Sequence, residues 1–332
     1  MRILVWFVHG GWMNAFTRIG HECVVPDEQT PPDVRGVVRV PEAKLADAGI
    51  DVVVLQRTGE LAEAERLLRR RLGRDVPTIF VEHNTPQRSP VGQRHFLADQ
   101  RGITVVHVTH FNALAWDTGR APSRVIEHGV PDPGALYTGE LASFGVVVNE
   151  PVRRGRIVGT DLLPRFAERA PIDVFGIDTE LLHDTELLAG SAVERIRARG
   201  DLPTRRLHAE LARHRVYLHP FRWTSLGLSL IEAMSLAMPV VALATTEAPR
   251  AVPPEAGTVS TNVDELVDAA ELLLRDPERA RVQGAAARQF AQTRYGMERF
   301  ARDWGELLAD ARRAPSAPLG ARPGPSLKGR IR

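Results

Sequence analysis

Three groups of residues in this chain stand where they could do chemistry: a glutamate inside a helix, a run of arginines after a strand, and a histidine at a strand end. Residues 216–219 read as a strand and 220–225 as a loop, and Leu226-Gly227 open a helix that carries Glu232. The first N–H groups of that helix, on Leu228 and Ser229, have no intrahelical acceptor, so with the helix dipole they can seat a phosphate. Glu232 follows about one and a half turns later. A carboxylate there can accept hydrogen bonds from two neighbouring hydroxyls, such as those of a ribose. The same residue also fits a plain solvated helix position, and the pattern alone weighs the two equally. Arg153, Arg154 and Arg156 follow a strand at 144–148. A guanidinium stays charged and can grip phosphate with two bonds; the competing reading is a solvated basic turn. His83 follows the strand 78–81, and Gly10-Gly11 follow the strand 2–8 as either a plain turn or a place for close backbone approach. His9, His107 and His110 fit the core or the surface better.

The elements that must position these groups alternate. Strands are predicted at 2–8, 23–26, 34–40, 51–56, 78–81, 104–108 and 124–127, with helical stretches at 12–19, 41–48 and 61–72. A pause rich in Pro and Gly at 131–141 reads as a link. Strands at 144–148, 172–175, 216–219 and 239–244 follow, with helices at 161–169, 204–213, 228–236, 263–275, 278–293 and 297–312. Such alternation predicts parallel sheets of βαβ units, an α/β chain of two Rossmann-like, doubly wound domains. The expected division is 1–140, 141–296, a helix at 297–312 packing back across the hinge, and a disordered basic tail at 313–332. Ligands bind such sheets outside the carboxyl ends of the strands. That rule gathers Gly10-Gly11, His83, the loop 149–156, Gly176 and the loop 219–227.

Composition narrows the classes. The 332 residues suffice for two cores, and the single cysteine, Cys23, allows no internal disulfide and fits a reducing compartment. There is no signal-peptide pattern and no apolar run of the ~20 residues a membrane span needs, so a cytoplasmic location is expected. The net charge of +2 resides in the tail: residues 311–332 carry six basic side chains and no acid, leaving 2 − 6 = −4 elsewhere. Neither a nucleic-acid nor a membrane role for the body follows from it. One cysteine and scattered histidines give no metal-ligand spacing, and Asp178-Thr179-Glu180 reads as a helix N-cap.

Residues 218–241, LHPFRWTSLGLSLIEAMSLAMPVV, resemble the donor-site signature of the family 4 retaining glycosyltransferases, which have the GT-B fold. Gly227-Leu228, Glu232-Ala233-Met234 and Pro239-Val240-Val241 stand in register with it. Residues 18–24, 125–131 (VIEHGVP) and 264–288 resemble further segments of the family in the same order. The resemblance implies that Glu232 holds the nucleotide ribose and that Gly227, Leu228 and Ser229 meet the donor diphosphate. Arg154, with Arg153 as neighbour, would neutralise the leaving diphosphate. Gly10 and Gly11 would line the reacting sugar, which His83 would face. Thr224 stands where the motif's first glutamate would contact the donor sugar, with Ser225 beside it; threonine offers one hydrogen bond and no charge. Asn149 or Val148 stands where the family has an arginine. Residues 200–203 would lie near the base. The implied reaction moves a sugar from a nucleoside-diphosphate sugar to an acceptor hydroxyl with retention, the leaving phosphate taking the proton and no metal or other cofactor being needed. The alternatives are a non-catalytic relative that binds a nucleotide sugar or a partner protein, and a GT-B epimerase or phosphorylase.

Overall fold

The computed structural model describes residues 1–31, 34–188 and 193–313. Its first sheet contains β1 (Arg2–Val5), β2 (Glu22–Pro26), β3 (Val38–Val40), β4 (Val52–Leu55), β5 (Thr78–Glu82), β6 (Ile103–His107) and β7 (Ser123–Val125), in the order β3-β2-β1-β4-β5-β6-β7. The second contains β8 (Leu141–Val147), β9 (Ile172–Phe175), β10 (Ile196–Gly200), β11 (His214–His219), β12 (Val240–Leu243) and β13 (Gly257–Ser260), in the order β10-β9-β8-β11-β12-β13. Every pairing is parallel. Each order reverses once, between β1 and β4 and between β8 and β11, and such switch points open crevices at the carboxyl ends of the strands.

The strands form because their Val, Ile and Leu residues can be buried on both faces, as parallel sheets require. In the first sheet Ile3, Val5, Val52 and Val54 face one core, while Leu4, Val53, Leu55 and Phe80 face the other. The helices that cover the sheets are α1 (Gly10–Phe16), α2 (Glu60–Leu68), α3 (His110–Ala115), α4 (Pro151–Arg154), α5 (Leu163–Ala167), α6 (Thr204–Leu211), α7 (Leu228–Ser235), α8 (Ala248–Ala251), α9 (Val263–Arg275), α10 (Pro277–Tyr295) and α11 (Met297–Arg313). The Asn262 side chain caps α9 by accepting from the Asp264 N–H, and Asp276 caps α10 by accepting from the Arg279 N–H, with Pro277 in the first turn.

Helix α11 follows the second sheet in sequence but packs on the first. Phe300, Trp304, Leu307 and Leu308, spaced to share one helix face, join the core formed by Trp12, Met13 and Phe16. The Trp304 ring meets Trp12 and Phe16 edge-on at centroid distances of 5.7 and 4.9 Å. Burying one such aromatic side chain is worth roughly 1.5–3 kcal/mol.

Several expectations change. Gly10 and Gly11 do not form a turn: they are the first two residues of α1, which starts before the predicted position 12. The orphan N–H groups of a first turn make few demands on side chains, so glycines fit there. The stretch 41–48 forms a 3₁₀ helix over Glu42–Asp47, and the predicted helix 161–169 divides into a 3₁₀ turn and α5, with Pro164 in the first turn of α5. Strands β10 and β13 and helices α3 and α8 are not among the predicted elements, nor is α4, which forms within the stretch 149–156 expected as a loop. Asp178 precedes the 3₁₀ helix Thr179–Asp184 at φ 58°, and its side chain makes no capping bond. The basic tail expected at 313–332 lies, beyond Arg313, outside the described residues. Among the described residues no helix is long and apolar enough to cross a membrane.

Candidate active site

A cleft of about 630 Å³ lies between the two sheets, at the carboxyl ends of β1, β5, β8 and β11. His9, Trp12, His83, Asn84, Thr85 and Gln87 line it from the first sheet's side. His128 lines it from the segment that joins the sheets, and Asn149, Glu150, Arg153, Arg154 and residues 223–228 line it from the second sheet's side. The structure therefore brings together His83, Arg153, Arg154, Thr224, Ser225, Gly227 and Leu228.

The other predicted positions lie apart from the lining. Gly10 borders a separate groove with Phe7, Met13 and Asn14. Gly11 faces the first turn of α7, where a Cβ would come within 2.7 Å of Leu228 Cδ1. Ser229 Oγ accepts a 2.9 Å hydrogen bond from the Tyr217 hydroxyl. Glu232 sits deeper along α7, with 22% of its side chain exposed and His208 Nε2 at 3.8 Å from its Oε2.

The three arginines of the basic cluster have different fates. Arg153 is held by Glu150, its Nε donating to Oε1 at 2.6 Å. Arg156 pairs with Asp161 at 2.7 Å. Arg154, at the end of α4, lines the cleft, and its guanidinium has no hydrogen-bond acceptor and no carboxylate within 4 Å among the described residues. Burial, and secondarily the charge of Arg153, lower its pKa; an arginine starts so high that it stays a cation. Asn149 is occupied, its Oδ1 accepting from the Ile177 N–H at 3.0 Å.

The loop 220–227 is tied down on both sides. Arg222 makes two bonds to Asp161, at 2.5 and 2.9 Å, and the Arg222 and Trp223 N–H groups donate to the Ile157 carbonyl at 2.8 and 3.1 Å. Gly159, at φ 76°, lets that segment close on the loop, since a Cβ there would lie 2.0 Å from the Pro220 carbonyl oxygen. Across the cleft Trp223 Nε1 donates to the Pro86 carbonyl at 2.9 Å, and the Thr109 and Ser225 hydroxyls lie 3.3 Å apart. The Phe111 N–H donates to the fully buried Glu247 at 2.8 Å.

His83 belongs to a cluster. Its ring lies 4.1 Å from that of His9 and 6.5 Å from that of His128, centroid to centroid. Its Nε2 meets Gln56 Oε1 at 3.0 Å, and the Gln56 amide nitrogen donates to the Trp6 carbonyl at 2.8 Å. Gln56 Oε1 is thus the acceptor and His83 Nε2 the donor, which leaves Nδ1 as the lone-pair nitrogen of a neutral ring. Burial, then the nearby His9 and His128, lower the His83 pKa well below 6.5. Burial, then Arg299, lowers that of His128 to about 3, and burial, then Arg57, lowers that of His9.

Sequence reasoning missed several residues that line the cleft or support those that do. His9 was assigned to core or surface, yet it lines the cleft just beyond β1. Gln56, at the end of the run DVVVLQ, reads as a strand residue and proves to orient His83. Both follow a strand's carboxyl end, the one signal that could have found them. The contact of Trp223 with Pro86 leaves no sequence trace. Among the described residues no three His, Cys, Asp or Glu side chains gather as a metal site.

Residues 160–276 match the family model described as Glycosyl transferases group 1. No curated protein matches the chain. Among solved structures, a glycosyltransferase from Rickettsia africae ESF-5 aligns at a TM-score of 0.71 and 13% identity, over 94% of this chain and 98% of its own. Sucrose-phosphate synthase from Thermosynechococcus elongatus aligns at 0.67 and 17%, over 93% and 98%. HepE from Anabaena, in complex with UDP-glucose, aligns at 0.67 and 16%, over 93% and 100%. The two-sheet fold is the GT-B arrangement of these glycosyltransferase structures.

Proposed function

We propose that the protein is a cytoplasmic glycosyltransferase that moves a sugar from a nucleoside-diphosphate sugar to an acceptor hydroxyl, with retention of configuration and without an essential metal. The observation that carries this reading is Arg154. A half-buried guanidinium with no protein acceptor among the described residues lines the same cleft as Leu228, whose N–H, with that of Ser229, is an orphan donor at the start of α7. A cation together with a helix N-terminus suits a dianionic diphosphate. HepE was solved with UDP-glucose in place, which supports the same class of donor here.

In this reading the diphosphate lies between Arg154 and the first turn of α7, and the ribose hydroxyls meet Glu232. The sugar projects into the cleft toward His83, Thr224 and Ser225, with Arg153 close by and Gly11 behind Leu228; Gly10, on its separate groove, takes no part. The anomeric C–O bond breaks toward the diphosphate, and the charge that develops on the leaving oxygen is the main thing to stabilise. That oxygen takes the proton of the acceptor hydroxyl as the new bond forms on the same face of the sugar. Residues 1–140 would hold the acceptor, 141–296 the donor, and 297–312 would join the two.

Isothermal titration with UDP, GDP and ADP, followed by turnover of labelled UDP-glucose and other donors, tests the reading. Saturable binding of one nucleotide together with transfer or slow donor hydrolysis is expected. A second reading, a nucleotide-sugar binder without catalysis, draws on Thr224 and on Asn149, whose Oδ1 is committed to Ile177. Tight donor binding with no turnover on any acceptor would favour it.

A further inference from the structure

Behind Glu232, on α6, His208 is buried, and its Nε2 has almost no exposed surface and no hydrogen-bond partner among the described residues. The nearest carboxylate oxygen is Glu232 Oε2 at 3.8 Å, about 1 Å beyond a hydrogen bond. The Glu232 side chain also makes no hydrogen bond among the described residues. The neighbouring Tyr217 hydroxyl is already committed to Ser229 at 2.9 Å. A buried ring nitrogen and a part-exposed carboxylate thus face one another across a gap that a small rotation of the glutamate closes.

We propose that His208 is a positioning residue for Glu232, donating from Nε2 to Oε2 so that Oε1 turns outward to accept the vicinal hydroxyls of a ribose. This rests on the donor reading above. His208 acts through the glutamate, because its Nε2 is closed off from the cleft. A carboxylate has about four acceptor sites, so one bond to the histidine leaves enough for both hydroxyls. Fixing the orientation before the ligand arrives also removes rotamer freedom that binding would otherwise have to freeze.

The test compares whichever of UDP, GDP and ADP the wild type binds with its 2′,3′-dideoxy counterpart, by isothermal titration. His208→Phe fills the space without a donor, and His208→Gln keeps an N–H. The expected result is about tenfold weaker ribonucleotide binding for His208→Phe, the scale of one hydrogen bond to a charged group. His208→Gln stays close to wild type, and neither variant alters dideoxynucleotide binding. Glu232→Ala reproduces the loss of His208→Phe, and the double variant adds nothing further. Equal weakening of both nucleotides by His208→Phe, or no weakening of either, overturns the proposal. A wild type that binds the ribo and dideoxy forms equally well removes the ribose role of Glu232 and overturns the inference, whereas one that binds none of the three diphosphates overturns the donor reading itself; both results are visible before any histidine variant is made.

Discussion

Arg153 and Arg154 are neighbours in sequence with different roles. Glu150 neutralises Arg153, whereas Arg154 keeps its charge for whatever enters the cleft. If that charge is spent on the leaving group, Arg154→Ala lowers the single-turnover rate by at least about a hundredfold, the loss typical of one preorganised stabilising group. Arg153→Ala should cost less than about tenfold, since its electrostatic influence is already offset by a carboxylate. Rapid-quench assays of the two variants decide the order. His83 makes a second prediction. Its pKa lies well below 6.5 because burial and two neighbouring imidazoles disfavour the cation. The ring is therefore already neutral at pH 7 and gains its proton only at much lower pH. The profile of kcat/KM should stay flat from pH 8 down to 6, without a limb near 6.5; an ordinary limb there that disappears in His83→Asn would refute this assignment.

At the scale of elements, Gly284 is a case where propensity and packing disagree. A glycine inside α10 normally weakens a helix by about 1 kcal/mol relative to alanine, so Gly284→Ala should stabilise on propensity alone. In the fold a Cβ at 284 would lie 1.9 Å from the Ala237 carbonyl oxygen, just past the end of α7. The variant is expected to lose about 2 kcal/mol or more through overpacking, read as a lower urea midpoint at pH 7. The same contrast explains what was legible in the sequence. The strands around Leu4, Val53 and Val174 were visible because they are buried on both sides and nearly all apolar. Strand β10, with the sequence IRARG, has one buried residue, Ile196, then alternates exposed arginines with half-buried Ala198 and Gly200 at a sheet edge, and its arginines disguise it. The placement of Leu228 and Arg154 on one cleft could be read because a strand, a loop and a helix start leave local marks. Gln56 behind His83, His208 behind Glu232 and Trp223 against Pro86 are contacts between distant segments, and no spacing along the chain encodes them.

For the molecule as a whole, the buried histidines set its response to acid. Burial lowers His107 to about 4, and His128 and His219 to about 3, from the unfolded value of 6.5. Between those values the unfolded chain takes up protons that the folded chain refuses. Stability is therefore full above pH 6.5 and falls as the pH drops toward 4, by about 1.4 kcal/mol per pH unit for each such group. Urea midpoints measured from pH 8 to 5 should fall on the acid side, and His107→Gln should make the fall shallower. A midpoint constant over that range would contradict the buried, neutral state of these rings.

The return of α11 to the first sheet has a consequence for the order of synthesis. The strands and helix α1 that form the first sheet are complete once β7 has left the ribosome, but the apolar face carrying Trp12 and Phe16 receives Phe300 and Trp304 only when the last helix arrives. The nascent chain thus carries an uncovered hydrophobic face while the whole second sheet is made. The first half of the protein is the first to be translated and the last to be finished, and a ribosome stalled between β13 and α11 would present that face to chaperones.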